Sequence, residues 1–137
     1  MKKQLLAILP IALLFPLAGC APKDEGPKGP YNEVIQRALE AIDTPYAWGA
    51  AGPDAYCSDG LVCYCLTGEH RIFATSYSMM DWPKVNNPYP GIVCVNINNC
   101  GIYMGNGTMI HAGTYGQSVQ YASVEADMIY VDYFLKK

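Results

Sequence analysis

The side chains in this sequence able to do covalent chemistry are few: six cysteines and two histidines among 137 residues. Cys57 stands just before Ser58–Leu66, a short, almost wholly apolar stretch with Ser58 or Asp59 able to cap it and Gly68 just past its end. That pattern predicts a buried helix. A thiol at the first turn of a helix has its thiolate stabilised by unpaired backbone amides and the helix dipole, and an adjacent imidazole completes its activation. The chemistry to look for is therefore attack by a thiolate. His111 lies in the apolar run Met109-Ile110-His111-Ala112, whereas His70, in Thr67-Gly68-Glu69-His70-Arg71, reads as a solvated loop residue. Two readings stay open for Cys57, a nucleophile or a small semi-buried side chain. For Ser58 a helix cap is favoured over a serine nucleophile, which needs a stronger base.

Five cysteines follow Cys20, an odd number that leaves at least one unpaired in an exported chain. Cys94 and Cys100 flank a turn at Asn96–Asn99, which allows either a disulfide or two small core side chains. Cys63-x-Cys65 lacks the spacer of about two to four residues usual for zinc, so no metal or other cofactor is expected.

The elements that must position these groups follow from hydrophobic spacing. Val34, Ile35, Ala38, Leu39 and Ile42 recur at threes and fours, which predicts a helix from Tyr31 stopped by Pro45. Pro45, Gly49, Gly52, Pro53 and Asp54 make the next segment a loop. Beyond a variable stretch over Arg71–Tyr89, runs of β-branched and aromatic residues predict strands at Ile92–Ile97, Cys100–Met104, Thr108–His111, Ser118–Val124 and Met128–Leu135. The breaks between them suit hairpins. Helices first and a sheet after them imply an α+β domain, with the helices packed on one face of a five- to six-stranded antiparallel sheet.

Residues 1–19 read as a secretory leader: Lys2 and Lys3, then an apolar run interrupted by Pro10 and Pro16, then small residues. Leu17-Ala18-Gly19-Cys20 resembles the lipobox of bacterial lipoproteins, which makes Cys20 the expected lipidation site and the cell envelope the expected location. Several acyl chains give a stable membrane anchor where one gives a marginal one. Residues 20–30, rich in proline, glycine and charge, read as a tether, and residues 31–137 as one domain. Removing Lys2 and Lys3 leaves seven of the nine basic residues against twelve acidic ones, a net charge of about −5. That balance excludes the basic stripe of a nucleic-acid binder.

Four stretches, in order, resemble the NlpC-like family of papain-like cell-wall peptidases. Thr44-Pro45-Tyr46-Ala47-Trp48-Gly49 is like the family's Pro-Tyr-x-Trp-Gly-Gly loop, and Cys57-Ser58-Asp59-Gly60-Leu61-Val62 is like its Asp-Cys-Ser-Gly-Leu-Val. Asn99-Cys100-Gly101-Ile102-Tyr103-Met104-Gly105-Asn106-Gly107 is like His-Val-Gly-Ile-Tyr-x-Gly-x-Gly, and Met109-Ile110-His111-Ala112 is nearly unaltered. The resemblance implies a cysteine peptidase acting on peptidoglycan stem peptides. Cys57 is its candidate nucleophile, His111 its orienting residue or substitute base, and Tyr46 and Trp48 its cleft walls. Trp48 reads equally as a core anchor.

The sequence departs from that family where the chemistry should lie. The base position holds Asn99, whose amide neither takes nor delivers a proton near neutral pH. With Gly60-Leu61-Val62 in register, Ser58 falls on the nucleophile position and Cys57 one residue before it, roughly 100° away about a helix axis. Pro90-Gly91-Ile92 replaces the family's Pro-Gly-Asp. Two functions follow as alternatives: an active endopeptidase using Cys57 with His111, or an inactive relative that binds a stem peptide or a partner protein through the same cleft.

Overall fold

The computed structural model describes residues 29–136. The expected leader, the lipidation site Cys20 and most of the tether lie outside the described residues. Helix α1 spans Pro30–Ala41, with proline in its first turn and Val34, Ala38 and Ala41 buried on one stripe. It stops before Pro45: Asp43 takes a left-handed φ of 78°, and its amide donates to the Val119 carbonyl at 2.9 Å. Helix α2 spans Ser58–Thr67 and is apolar nearly all round because it lies between α1 and the sheet. Gly68, at a left-handed φ of 81°, ends it as expected. A four-residue α3, Ser76–Met79, emerges from the stretch the sequence left unassigned, opened by a reciprocal cap between Thr75 and Ser78.

Strands β1 (Val93–Val95), β2 (Cys100–Gly105), β3 (Thr108–His111), β4 (Gln120–Ser123) and β5 (Ile129–Val131) form one antiparallel sheet in the order β4-β3-β2-β1-β5. The α+β architecture with helices before the sheet is as the sequence implied. Three expected strands are shorter than their apolar runs. Asn96 ends β1 by accepting from the amides of Asn98 and Asn99, and β4 keeps only the centre of Ser118–Val124. The run Met128–Leu135 breaks at Asp132, after which Tyr133–Leu135 turns into a 3₁₀ helix.

The sheet separates two apolar layers. Val93, Val95, Cys100, Ile102 and Ile110 face α1 and α2, while Ile92, Cys94, Tyr103 and Met109 face a cover made by Tyr31 at the start of α1 and by Val85 and Tyr89 from the segment before β1. This alternation decides between the two readings of Cys94 and Cys100 in favour of small core side chains. Cys94 and Cys100 lie in opposite layers, and all five cysteines of the described residues are free thiols.

Candidate active site

The loop from Thr44 to Cys57 is folded back on itself before α2 begins. Ala47 N donates to Tyr56 O at 3.1 Å and Cys57 N to Ala50 O at 2.9 Å, so the residue before the helix is fixed by backbone bonds on both sides. Gly60 makes this possible, since a Cβ there would meet the Ala50 carbonyl oxygen at 2.0 Å. Cys57 itself, not Ser58 or Asp59, is the N-cap: its backbone is extended and its Sγ accepts from Gly60 N at 3.4 Å. Ser58 and Asp59, the usual kinds of cap, stand next in the sequence and hid this.

Cys57, Ser58 and Asp59 form the floor of a cleft of about 270 Å³, with Tyr46 and Trp48 on one wall and Thr75, Ser76 and Tyr77 on the other. Trp48 is 79% exposed, which overturns its reading as a core anchor and leaves it at the cleft. Tyr46 is propped edge-on against Tyr115, ring centroids 5.0 Å apart. Burial raises the Tyr46 phenol's pKa, and the nearby Cys57 raises it further, so it faces the cleft as a neutral donor. Asp59 is occupied structurally: Oδ1 accepts from Ser76 N at 3.0 Å, Ser76 Oγ at 2.6 Å and Cys100 Sγ at 3.5 Å. It ties α3 to the start of α2.

Burial pushes the other thiols up in pKa: Cys63 is raised, Cys94 reaches about 12, and Cys65 and Cys100 lie well above the ordinary range. They are inert, protonated core groups. Cys57 is the thiol at the cleft.

Asn99 and His111 are brought together at the end of β3. The Asn99 Nδ2 group donates to Glu125 Oε2 at 2.6 Å and lies 3.3 Å from His111 Nδ1, while Asn99 Oδ1 accepts from Cys100 N at 2.9 Å. Both ends of the amide are committed. His111 Nδ1 also lies 3.5 Å from Asn99 Oδ1, so the ring nitrogen meets both ends of the same amide. The ring sits behind Gly113, where a Cβ would be 3.0 Å from its Cε1 and 3.4 Å from its Nε2. Gly113 reaches the cleft; among the described residues no hydrogen bond joins the Cys57 thiol to an imidazole. Glu125 was missed by sequence reasoning, since nothing in Val124-Glu125-Ala126 signals a partner 26 residues away. His70 is an exposed loop residue, as expected, and its ring also donates through Nδ1 to Ala51 O at 2.9 Å and stacks on Tyr64 at 4.6 Å.

Burial lowers the His111 pKa below its usual 6.5, and the Glu125 carboxylate partly offsets the shift. The unfolded chain then binds a proton at a higher pH than the folded one. The domain should lose stability as pH falls from about 6.5 towards the lowered value, with no further change from this group below it. Thermal unfolding from pH 7.5 to 5 should show this slope in the native chain and lose it in His111→Gln. In Glu125→Gln, NMR titration should place the His111 pKa lower still; an unchanged or higher value would contradict the assignment.

No family model matches the chain. It is 30% identical over 111 residues to probable endopeptidases of Mycobacterium bovis and Mycobacterium tuberculosis, an alignment covering 74% of this chain. The chain spans 28% of the length of those relatives. Among solved structures it is similar to the NlpC/p60 domain of the peptidoglycan hydrolase SagA, with a TM-score of 0.59 and 23% identity over 73% of this chain and 97% of that one. It is similar to the peptidoglycan hydrolase RipB of Mycobacterium tuberculosis, with a TM-score of 0.65 and 18% identity over 79% and 66% of the two chains. The resuscitation promoting factor interacting protein RipA gives 0.65 and 24%, over 82% and 69%.

Proposed function

The chain carries an NlpC-like domain of the cell-wall peptidase family, and from that premise we propose that it is an envelope lipoprotein whose cleft binds peptidoglycan stem peptides without cutting them. One observation carries this reading. The family's base position holds an amide, Asn99, and the one nearby imidazole, His111, lies against that amide and behind Gly113, while Cys57 takes its hydrogen bond from Gly60 N. A thiol without a base in reach lacks the general-base contribution, typically about 10²–10⁴-fold. The polar floor and the exposed aromatic wall remain, and they suit a peptide with both charged and apolar parts. The Leu-Ala-Gly-Cys motif supports attachment through Cys20, which would hold the cleft against its substrate layer.

Muropeptides incubated with the full chain should bind and be recovered intact by mass spectrometry. Trp48→Ala should weaken binding about tenfold, a loss of about 1.4 kcal/mol, while Cys57→Ala should leave it unchanged. Cleavage that disappears in Cys57→Ala would favour the alternative, an active endopeptidase in which His111 turns towards the thiol.

A further inference from the structure

A second cavity, of about 200 Å³, lies between the C-terminal half of α1, the loop at Pro53 and the far end of α2, and nothing in the peptidase reading uses it. Its most informative wall is Tyr56. That side chain is only 3% exposed, yet among the described residues its hydroxyl has no hydrogen-bond partner. The phenol end lies over Gly52, where a Cβ would come within 2.5 Å of it, next to Pro53 in the cavity wall. Leaving a buried hydroxyl unpaired costs about 1–3 kcal/mol, and such a group calls for an occupant. Burial raises the Tyr56 pKa to about 12, so at neutral pH it has a proton to donate.

The remaining lining carries both signs. The donors are Tyr56, the Thr44 hydroxyl and the Arg37 guanidinium, which is held by an Nη1 bond to Cys65 O at 2.9 Å and an Nη2 ion pair with Glu33 at 3.6 Å. The acceptors are the Glu40 carboxylate, one turn along the same helix from Arg37, and His70. Because a carbonyl can only accept, the His70 contact with Ala51 O puts the ring proton on Nδ1 and leaves the Nε2 lone pair free in the neutral ring. Tyr64, stacked on His70, completes the lining. The volume is below the roughly 300–1,000 Å³ of sites for drug-sized ligands.

We infer that this cavity is a site for a free amino acid, its carboxylate held by Arg37, Tyr56 and Thr44 and its ammonium by Glu40 and His70. A simple anion would leave the Glu40 carboxylate facing it, and a simple cation would face the Arg37 guanidinium. The site lies apart from the Cys57 cleft and does not depend on what that cleft binds.

Calorimetric titration of the full chain with D-alanine and L-alanine tests this, with N-acetylalanine, alanine amide and phosphate as probes lacking one of the two charges. At least one alanine enantiomer should bind, and each of the three control probes at least tenfold more weakly. Tyr56→Phe should weaken alanine binding about tenfold without lowering the melting temperature, because its hydroxyl bonds nothing in the unliganded fold. Glu40→Gln, at an exposed position, should weaken it comparably, and Trp48→Ala should leave it alone. Failure of both enantiomers to bind, binding of phosphate or N-acetylalanine as tight as alanine, or indifference to both Tyr56→Phe and Glu40→Gln would overturn the assignment.

Discussion

Asp132→Ala should cost the domain about 3–5 kcal/mol, the size expected when a buried charged network loses its central member. The Asp132 carboxylate is fully buried. Its Oδ2 accepts from Tyr31 Oη at 2.6 Å and from Tyr89 Oη at 2.5 Å, its Oδ1 accepts from Phe134 N at 2.9 Å, and its own amide donates to Pro83 O at 2.9 Å. One side chain thus joins the start of α1, the segment before β1 and the closing 3₁₀ turn. Both phenols have raised pKa values, from burial first and then from the adjacent carboxylate, so they remain donors throughout the physiological range. Alanine would leave two half-buried hydroxyls and one half-buried amide without their acceptor, each worth about 1–3 kcal/mol. At about 4–8 °C per kcal/mol for a domain of this size, the melting temperature should fall by more than about 12 °C. Tyr31→Phe and Tyr89→Phe, which each remove one donor and leave the carboxylate two others, should each cost about 1 kcal/mol. Thermal and urea unfolding followed by circular dichroism measure all three. An alanine variant within about 1 kcal/mol of the native chain would show that the network is dispensable.

That network also shows where a sequence stops being legible. Helices α1 and α2 could be read because their signals are local: apolar residues at threes and fours, and a glycine just beyond Thr67. The sheet was legible as alternating runs, and Gly60 as part of a motif whose physical reason is the nearby Ala50 carbonyl. Asp132 gave no signal. It sits inside a β-like run, and the partner that explains its burial, Tyr31, is 101 residues away. Glu125 and Asn96 are similar: the acidic turn after β4 closes on the turn after β1, and neither segment announces the other. For the site, the sequence indicated that Asn99 and His111 belong together on neighbouring strands. It did not show that the Asn99 amide would be saturated by Glu125 and Cys100. Side-chain polar networks depend on tertiary closure, and periodicity carries no information about them.

The saturation of Asn99 leads to the second large effect. If the missing base is what silences the cleft, combining Asn99→His with Ser58→Cys should produce muropeptide cleavage at least about 10²-fold above the native chain, the lower range of a general-base contribution. The geometry favours this pair. Ser58 is the first residue of α2 and already lines the cleft, so a thiol there needs no change of register and retains the helix N-terminal field. The imidazole introduced by Asn99→His would inherit Glu125, whose Oε2 now takes the Asn99 amide at 2.6 Å. A carboxylate there would orient the ring and favour its protonated form, as the third member of a triad does. Neither change alone should suffice: Ser58→Cys lacks the base, and Asn99→His leaves Cys57 a residue out of step. The response should therefore be strongly non-additive, the signature of groups that act as a unit. Full restoration with Cys57→Asp and Asp59→Ser is a harsher variant, because Asp59→Ser removes the acceptor for Ser76 and should loosen the wall formed by α3. The double variant is the cleaner test, followed by mass spectrometry of muropeptide fragments. Cleavage by the native chain at a rate comparable to the double variant would show that a base other than residue 99 already serves the cleft. No cleavage by a double variant that still binds muropeptide would show that the lost chemistry lies beyond these two positions.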